Sequence, residues 1–241
     1  MDDPVGIQAI PPLGRDGGRA EPYLTGDVAA APYGSTLPRL RDHLVRLSCR
    51  VMAGLWRAMG LRHAAGMLRH YAGGTGLPYR ADAASLMAVP AAQEAVAEQL
   101  ARWRAEALQR WAEEGRGEKI YRADSGWRSL VIDRAASLDW WLALRGLSYR
   151  LAGTAHVGSD GTVTVDHRFQ VHKSWNFDHG EAEYGIPFSP FARLHEAGIA
   201  REYEVIGEVD GLSFTRPVPG AAAGRRAADP APTVRSPSHP S

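Results

Sequence analysis

Between Leu147 and His172 the chain alternates apolar and polar residues twice over, with one glycine-bounded break in the middle. Leu147, Tyr149, Leu151, Gly153, Ala155 and Val157 fall on one face of the first run. Val163, Val165, His167, Phe169 and Val171 fall on one face of the second. A period of two belongs to strands with one buried face, so the segment predicts an antiparallel hairpin. With Gly158 opposite Thr162, the loop is Ser159-Asp160-Gly161, and Gly161 takes the left-handed position. Val157 then opposes Val163, Ala155 opposes Val165, Leu151 opposes Phe169 and Tyr149 opposes Val171. A slip by one residue sets Leu151 against Arg168, which forbids it. The other face carries Arg150, Thr154, His156, Thr164, Asp166, Arg168, Gln170 and His172, with Thr154 opposite Asp166 and His156 opposite Thr164. One wet face is ordinary for an antiparallel sheet. His167, on the apolar face, is expected to be a core residue kept neutral by burial.

Upstream the period changes. Leu37, Leu40, Leu44, Leu47, Val51 and Leu55 step by three and four, which places them on one stripe of a helix, with Arg39, Arg46, Arg50 and Arg57 off it. Gly60 marks an interruption. Ala64, Met67, Leu68 and Tyr71 continue the pattern until Gly73-Gly74-Thr75-Gly76 stops it. A short helix is expected after Asp82 as N-cap, and a longer one from about Pro90 to Gly115 with Val96, Leu100, Trp103 and Ala107 inward. GEKIYRADSGWRSLVID reads as a strand, a turn at Asp124-Ser125-Gly126 and a second strand, whereas LDWWLALRG is too short to classify. Ser189-Pro190 matches an N-cap followed by proline at the first helical position. The helix FARLHEA closes at Gly198, and REYEVIGEV supplies a last strand. Residues 1–36 and 216–241 bury too little apolar surface to offset their ordering entropy and are expected to be disordered tails. The fold class that follows is α+β: an N-terminal helical layer packed on a small, mostly antiparallel β-sheet. Residues 37–215 form one domain, helical over 37–115 and sheet-forming over 116–215.

Twenty-eight basic and 27 acidic residues leave no global field, so nucleic acid is not expected as a partner. The charge is uneven, however. Seven arginines but only one acid, Asp42, lie between Leu37 and Tyr71. Such a run is either a solvated helix face or a surface for an anionic partner. The lone Cys49 excludes an intramolecular disulfide and reads as a buried, inert thiol. An acidic start without an apolar core predicts no cleaved secretory signal. The most apolar stretch, Leu47 to Met59, contains Arg50 and Arg57, so no transmembrane helix is expected. The expected location is cytoplasmic, or exported without a cleaved signal peptide. Gly73-Gly74-Thr75-Gly76 is not a phosphate loop, since it follows a helix and lacks the closing Gly-Lys-Ser/Thr. His63 and His70, seven apart, are too distant to share one metal, and HExxH and paired cysteines are absent. Cofactor, metal and oligomeric state are not legible.

The densest chemistry lies in HKSWNFDHGEAEYG, from His172 onward. His172, Asn176, Asp178, His179, Glu181 and Glu183 gather where a strand, expected at the sheet edge, runs out into a loop. Imidazole with carboxylate is the minimum for general acid–base catalysis or a hard-metal site. Trp175 and Phe177 alternate with Asn176 and Asp178, so two aromatics would anchor the segment while the polar pair faces out. The candidate catalytic residues are Asp178, His172, Asn176 and His195. Asp178 would be ligand or base, His172 or His195 the proton carrier, and Asn176 an orienting amide within the Lys173 to Glu181 loop. A structural account also stands, because Asn and Asp shape turns through side-chain to backbone bonds.

The order DWWLALRGLSYRLAGTAHV, glycine turn, alternating strand, WNFD and ARLHEAGIAREYEVIGE, with LRHYAGGTGLPYRAD upstream, resembles C-terminal domains of bacterial polymorphic toxins and secreted effectors. More distantly it is similar to the activity domain of colicin M, which cleaves a lipid-linked peptidoglycan precursor. Where that family carries Asp-x-Tyr-Asp, this chain has Lys173, Trp175 and Asn176, so both carboxylates are missing and Asp178 could stand in only by a local shift. The resemblance implies a toxin-like effector hydrolysing a phosphodiester or diphosphate bond in an envelope precursor, with a cognate binding or immunity protein as partner. The alternative is a non-catalytic module binding protein or lipid through the arginine-rich helix.

Overall fold

A computed structural model of the chain describes residues 32–215 apart from Glu181 and Tyr184. The expected disordered tails therefore lie outside the described residues, save for residues 32–36. In chain order the elements are α1 (Leu40–Ala58), α2 (Arg62–Gly73), β1 (Tyr79–Arg80), α3 (Ala83–Met87), α4 (Pro90–Glu113), β2 (Lys119–Val131), α5 (Leu138–Ala143), β3 (Gly146–Val157), β4 (Val163–Trp175), β5 (Ala182–Glu183), β6 (Ile186–Pro187), α6 (Ser189–Glu196) and β7 (Tyr203–Thr215). The class is α+β, as the alternation of periods implies.

The hairpin β3–β4 is the centre of the sheet and has the expected register: Val157 opposite Val163, Ala155 opposite Val165, Leu151 opposite Phe169, Tyr149 opposite Val171. Gly158 N–H donates to the Thr162 carbonyl at 2.9 Å, and Gly161 has φ 81°. Five strands run β1-β7-β4-β3-β2, antiparallel except for β1 against β7. β7 pairs with β4 from Trp175–Tyr203 to Val163–Thr215. β4 is therefore an interior strand, which corrects the expectation that His172 leaves from a sheet edge.

A second correction concerns Asp124-Ser125-Gly126. The chain does not reverse there: β2 runs on, and Ser125 and Gly126 bulge between the pairs Asp124–Ala152 and Trp127–Arg150. Ser125 is buried. Its hydroxyl accepts the Leu151 N–H at 2.8 Å and donates to the Gly126 carbonyl at 2.7 Å, so the extra residues are satisfied inside the ladder.

Helices cover one face. α4 packs on β2, β3 and β4, and α3 on β4 and β7. Trp103, Tyr71, Tyr121, Phe169 and Met67 are fully buried in the resulting core. The break at Gly60 (φ 84°) is complete and separates α1 from α2. Asp139 of α5 caps α2, accepting the His63 and Ala64 N–H groups at 3.1 and 2.8 Å. The cap of α6 falls one residue earlier than expected, at Phe188, with Ser189-Pro190 inside the first turn.

α1 packs on α2 and α6, not on the sheet, and so forms an outer layer. Its buried side is narrow: Asp42, Cys49 and Ala53, flanked by the half-buried Val45 and Trp56. Asp42 accepts the Arg39 N–H at 2.8 Å and lies 3.4 Å from the Arg193 guanidinium of α6. Arg46 donates to the Ala72 carbonyl at the end of α2 at 2.9 Å.

Candidate functional site

The aromatic half of the WNFD segment is an anchor. Trp175 donates its ring N–H to the Ala143 carbonyl at 2.8 Å and stacks on Tyr203. Phe177 packs among Tyr71, Phe188 and Phe191. The polar half is half-buried, and the Asn176 amide donates to Asp178 Oδ2 at 3.1 Å. These two candidates are thus together.

His195 has different company. Its Nδ1 accepts the Glu202 N–H at 3.2 Å and lies 3.8 Å from the Glu202 carboxylate, which also accepts the Phe177 N–H at 3.1 Å. Burial, then the neighbouring Arg201, hold the His195 ring below its ordinary pKa against an opposing pull from Glu196. Nδ1 as acceptor places the proton of the neutral ring on Nε2. His179 meets Glu196 at 2.6 Å.

His172 projects from the opposite, helix-free face of the sheet. Its Nε2 lies 2.9 Å from Glu204 on β7, and the Ser174 hydroxyl donates to the same carboxylate at 3.0 Å. Its Nδ1 is buried without a hydrogen-bond partner, as is the hydroxyl of Ser148, its cross-strand neighbour. The rest of this face is a mosaic of matched charge. Arg150 grips Asp124 at 2.9 and 2.5 Å, Arg168 grips Asp210 at 2.7 and 3.3 Å, and His156 lies 3.6 Å from Asp166. Hydrogen bonding to Arg168 holds Asp210 below the usual carboxylate range. Among the described residues no cluster of three or more His, Cys, Asp or Glu could hold a metal ion.

The four candidates therefore occupy three settings: His172 with Glu204, Asn176 with Asp178, and His195 with Glu202. The acids Glu196, Glu202 and Glu204 were not among the residues singled out from the sequence. Pairing REYEVIGEV with the alternating strand upstream would have found Glu204, because that register sets it opposite Ser174.

Among the described residues, a feature without a partner is on α1. Leu40, Leu44, Leu47, Val51 and Leu55 fall within an arc of about 80° at the α-helical spacing, and that arc is about 180° from the one holding Asp42, Cys49 and Ala53. The apolar stripe therefore points away from the protein. With Leu37, Met52 and Met59, its side chains are 44–87% exposed. Arg41 borders it on one edge and His43 on the other, with Arg50 and Arg57 further round on the side of His43; all four are exposed. No helix among the described residues is long and apolar enough to cross a membrane.

No family model matches the sequence, and no curated protein matches it. Among solved structures the chain matches PaeM, a colicin M-like bacteriocin produced by Pseudomonas aeruginosa, with 12% identity and a TM-score of 0.33 over 64% of this chain and 52% of that one. The chain spans about half the length of that bacteriocin. The likeness is distant, and at that TM-score it carries no weight for activity.

Proposed function

We propose that this chain is a toxin-like effector domain that acts by docking, with the outward stripe of α1 as its contact surface. The toxin-like part rests on the sequence resemblance. The docking part rests on one observation: a continuous row of large apolar side chains turned to solvent on an outer helix. Burying one such side chain is worth about 1.5–3 kcal/mol, and monomers seldom leave a contiguous row uncovered. The test is the maleimide labelling rate of a Leu47→Cys protein, in the bacteria that produce it and after purification. Cys49 does not interfere, because burial pushes its thiol up to about 11. A Ser159→Cys protein, with the label on the exposed hairpin turn, is the control. Position 47 should label several-fold more slowly in cells than in solution while position 159 does not. Equal ratios at the two sites would sink docking.

A second reading is hydrolysis of a phosphodiester or diphosphate bond in a cell-envelope precursor, favoured by the carboxylate-held imidazole of His172. His172, beside Glu204, then serves as the proton carrier. Growth inhibition by the chain should disappear in His172→Ala. Full inhibition by that variant removes this reading.

A further inference from the structure

We propose that the occupant of the α1 stripe is an anionic lipid surface, on which the helix lies in plane; this rests on the docking reading above. Charge complementarity selects the occupant. The only acid between Leu37 and Tyr71 is Asp42, and it is buried against Arg193, so the outward half of α1 offers cations alone. Among the described residues neither Arg50 nor Arg57 has an ion-pair partner.

A second copy of the chain is a poor occupant. Two such stripes face to face bring Arg50 and Arg57 of both copies toward one seam with no carboxylate of α1 to answer them. A planar anionic surface answers all of them at once. The leucines enter the acyl boundary while cations on both edges of the stripe stay at headgroup level on long side chains. Position in the fold suits this contact, because α1 is an outer layer and its stripe a ridge, not a groove. Arg46, Arg50 and Arg57 keep the helix from spanning, so it lies along the surface.

The experiment is cosedimentation of the full chain with vesicles of phosphatidylcholine alone and of phosphatidylcholine with phosphatidylglycerol, at low and high salt. Binding is expected on the anionic vesicles, weakening as salt screens the arginines. The Leu44→Gln/Leu47→Gln/Val51→Gln protein should lose binding with its circular dichroism unchanged, since none of the three is buried. Arg50→Glu/Arg57→Glu should lower the partition roughly thirtyfold or more while leaving the apolar row intact. No binding to anionic vesicles, with Leu47→Cys still shielded in cells, overturns the lipid and leaves docking on a protein. A dimer in sedimentation equilibrium that the triple glutamine variant abolishes, without vesicle binding, overturns it in favour of a second copy. If position 47 is unshielded and vesicles are not bound, both readings fall.

Discussion

Two histidines carry a consequence for stability. His195 and His167 both have pKa values lowered chiefly by burial; at His195 Arg201 adds to the effect, and at His167 Arg104 does. Protonating either ring is harder in the folded chain than in the unfolded one, where the value is about 6.5. Their neutral forms therefore support the fold fully above that value. The support is lost as pH falls below it and through the folded pKa values, because the unfolded state then binds more protons. The urea midpoint should fall between about pH 7.5 and about pH 5.5. His195→Asn can still accept the Glu202 N–H through its side-chain oxygen, so it should reduce that fall without a large loss at the upper pH. A midpoint that rises on acidification contradicts the assignment.

The elements differ in how far the sequence specified them. The β3–β4 hairpin was legible because its period of two admits one register and the wrong one buries Arg168. At Gly153 that register leaves no room: a Cβ there would sit 1.9 Å from the Asp166 carbonyl oxygen and 2.8 Å from the His167 Cα. Backbone on the paired strand cannot retreat without breaking the ladder. Gly153→Ala should therefore cost about 3 kcal/mol in a urea titration. Gly54, mid-helix on α1 with open space around it, gives the opposite sign: Gly54→Ala should stabilise by up to about 1 kcal/mol. Other features were hidden for reasons of the same kind. Asp124-Ser125-Gly126 has turn chemistry, but Leu151 supplies the N–H that makes it a bulge instead. The partner of His172 depends on the β4–β7 pairing, which no local signal states. Helical periodicity located the α1 stripe but carries no sign. Which way it faces is decided by Asp42 meeting Arg193, a residue from the far end of the domain.

At the scale of the whole molecule, that sign makes the protein a two-layer body with a loosely held third layer. β3 and β4 are paired on both sides and packed beneath α4. α1 is attached through three small or polar buried side chains, the half-buried Val45 and Trp56, the Asp42–Arg193 contact and one hydrogen bond from Arg46. Detaching α1 exposes little large apolar surface beyond Val45 and Trp56, because its other large apolar residues already face water. Opening of this layer should therefore need less free energy than global unfolding. In native-state hydrogen exchange, amides in the middle of α1 should exchange well before those of β3 and β4, and their protection should be independent of mutations confined to the hairpin. Anything that covers the stripe adds its binding free energy to this layer first, so saturating anionic vesicles should raise α1 protection selectively. Equal protection of α1 and the hairpin in solution would mean that the helix leaves only with the core. The apolar stripe would then be a tolerated surface of a rigid fold, and an outer layer held ready for docking would have no physical basis.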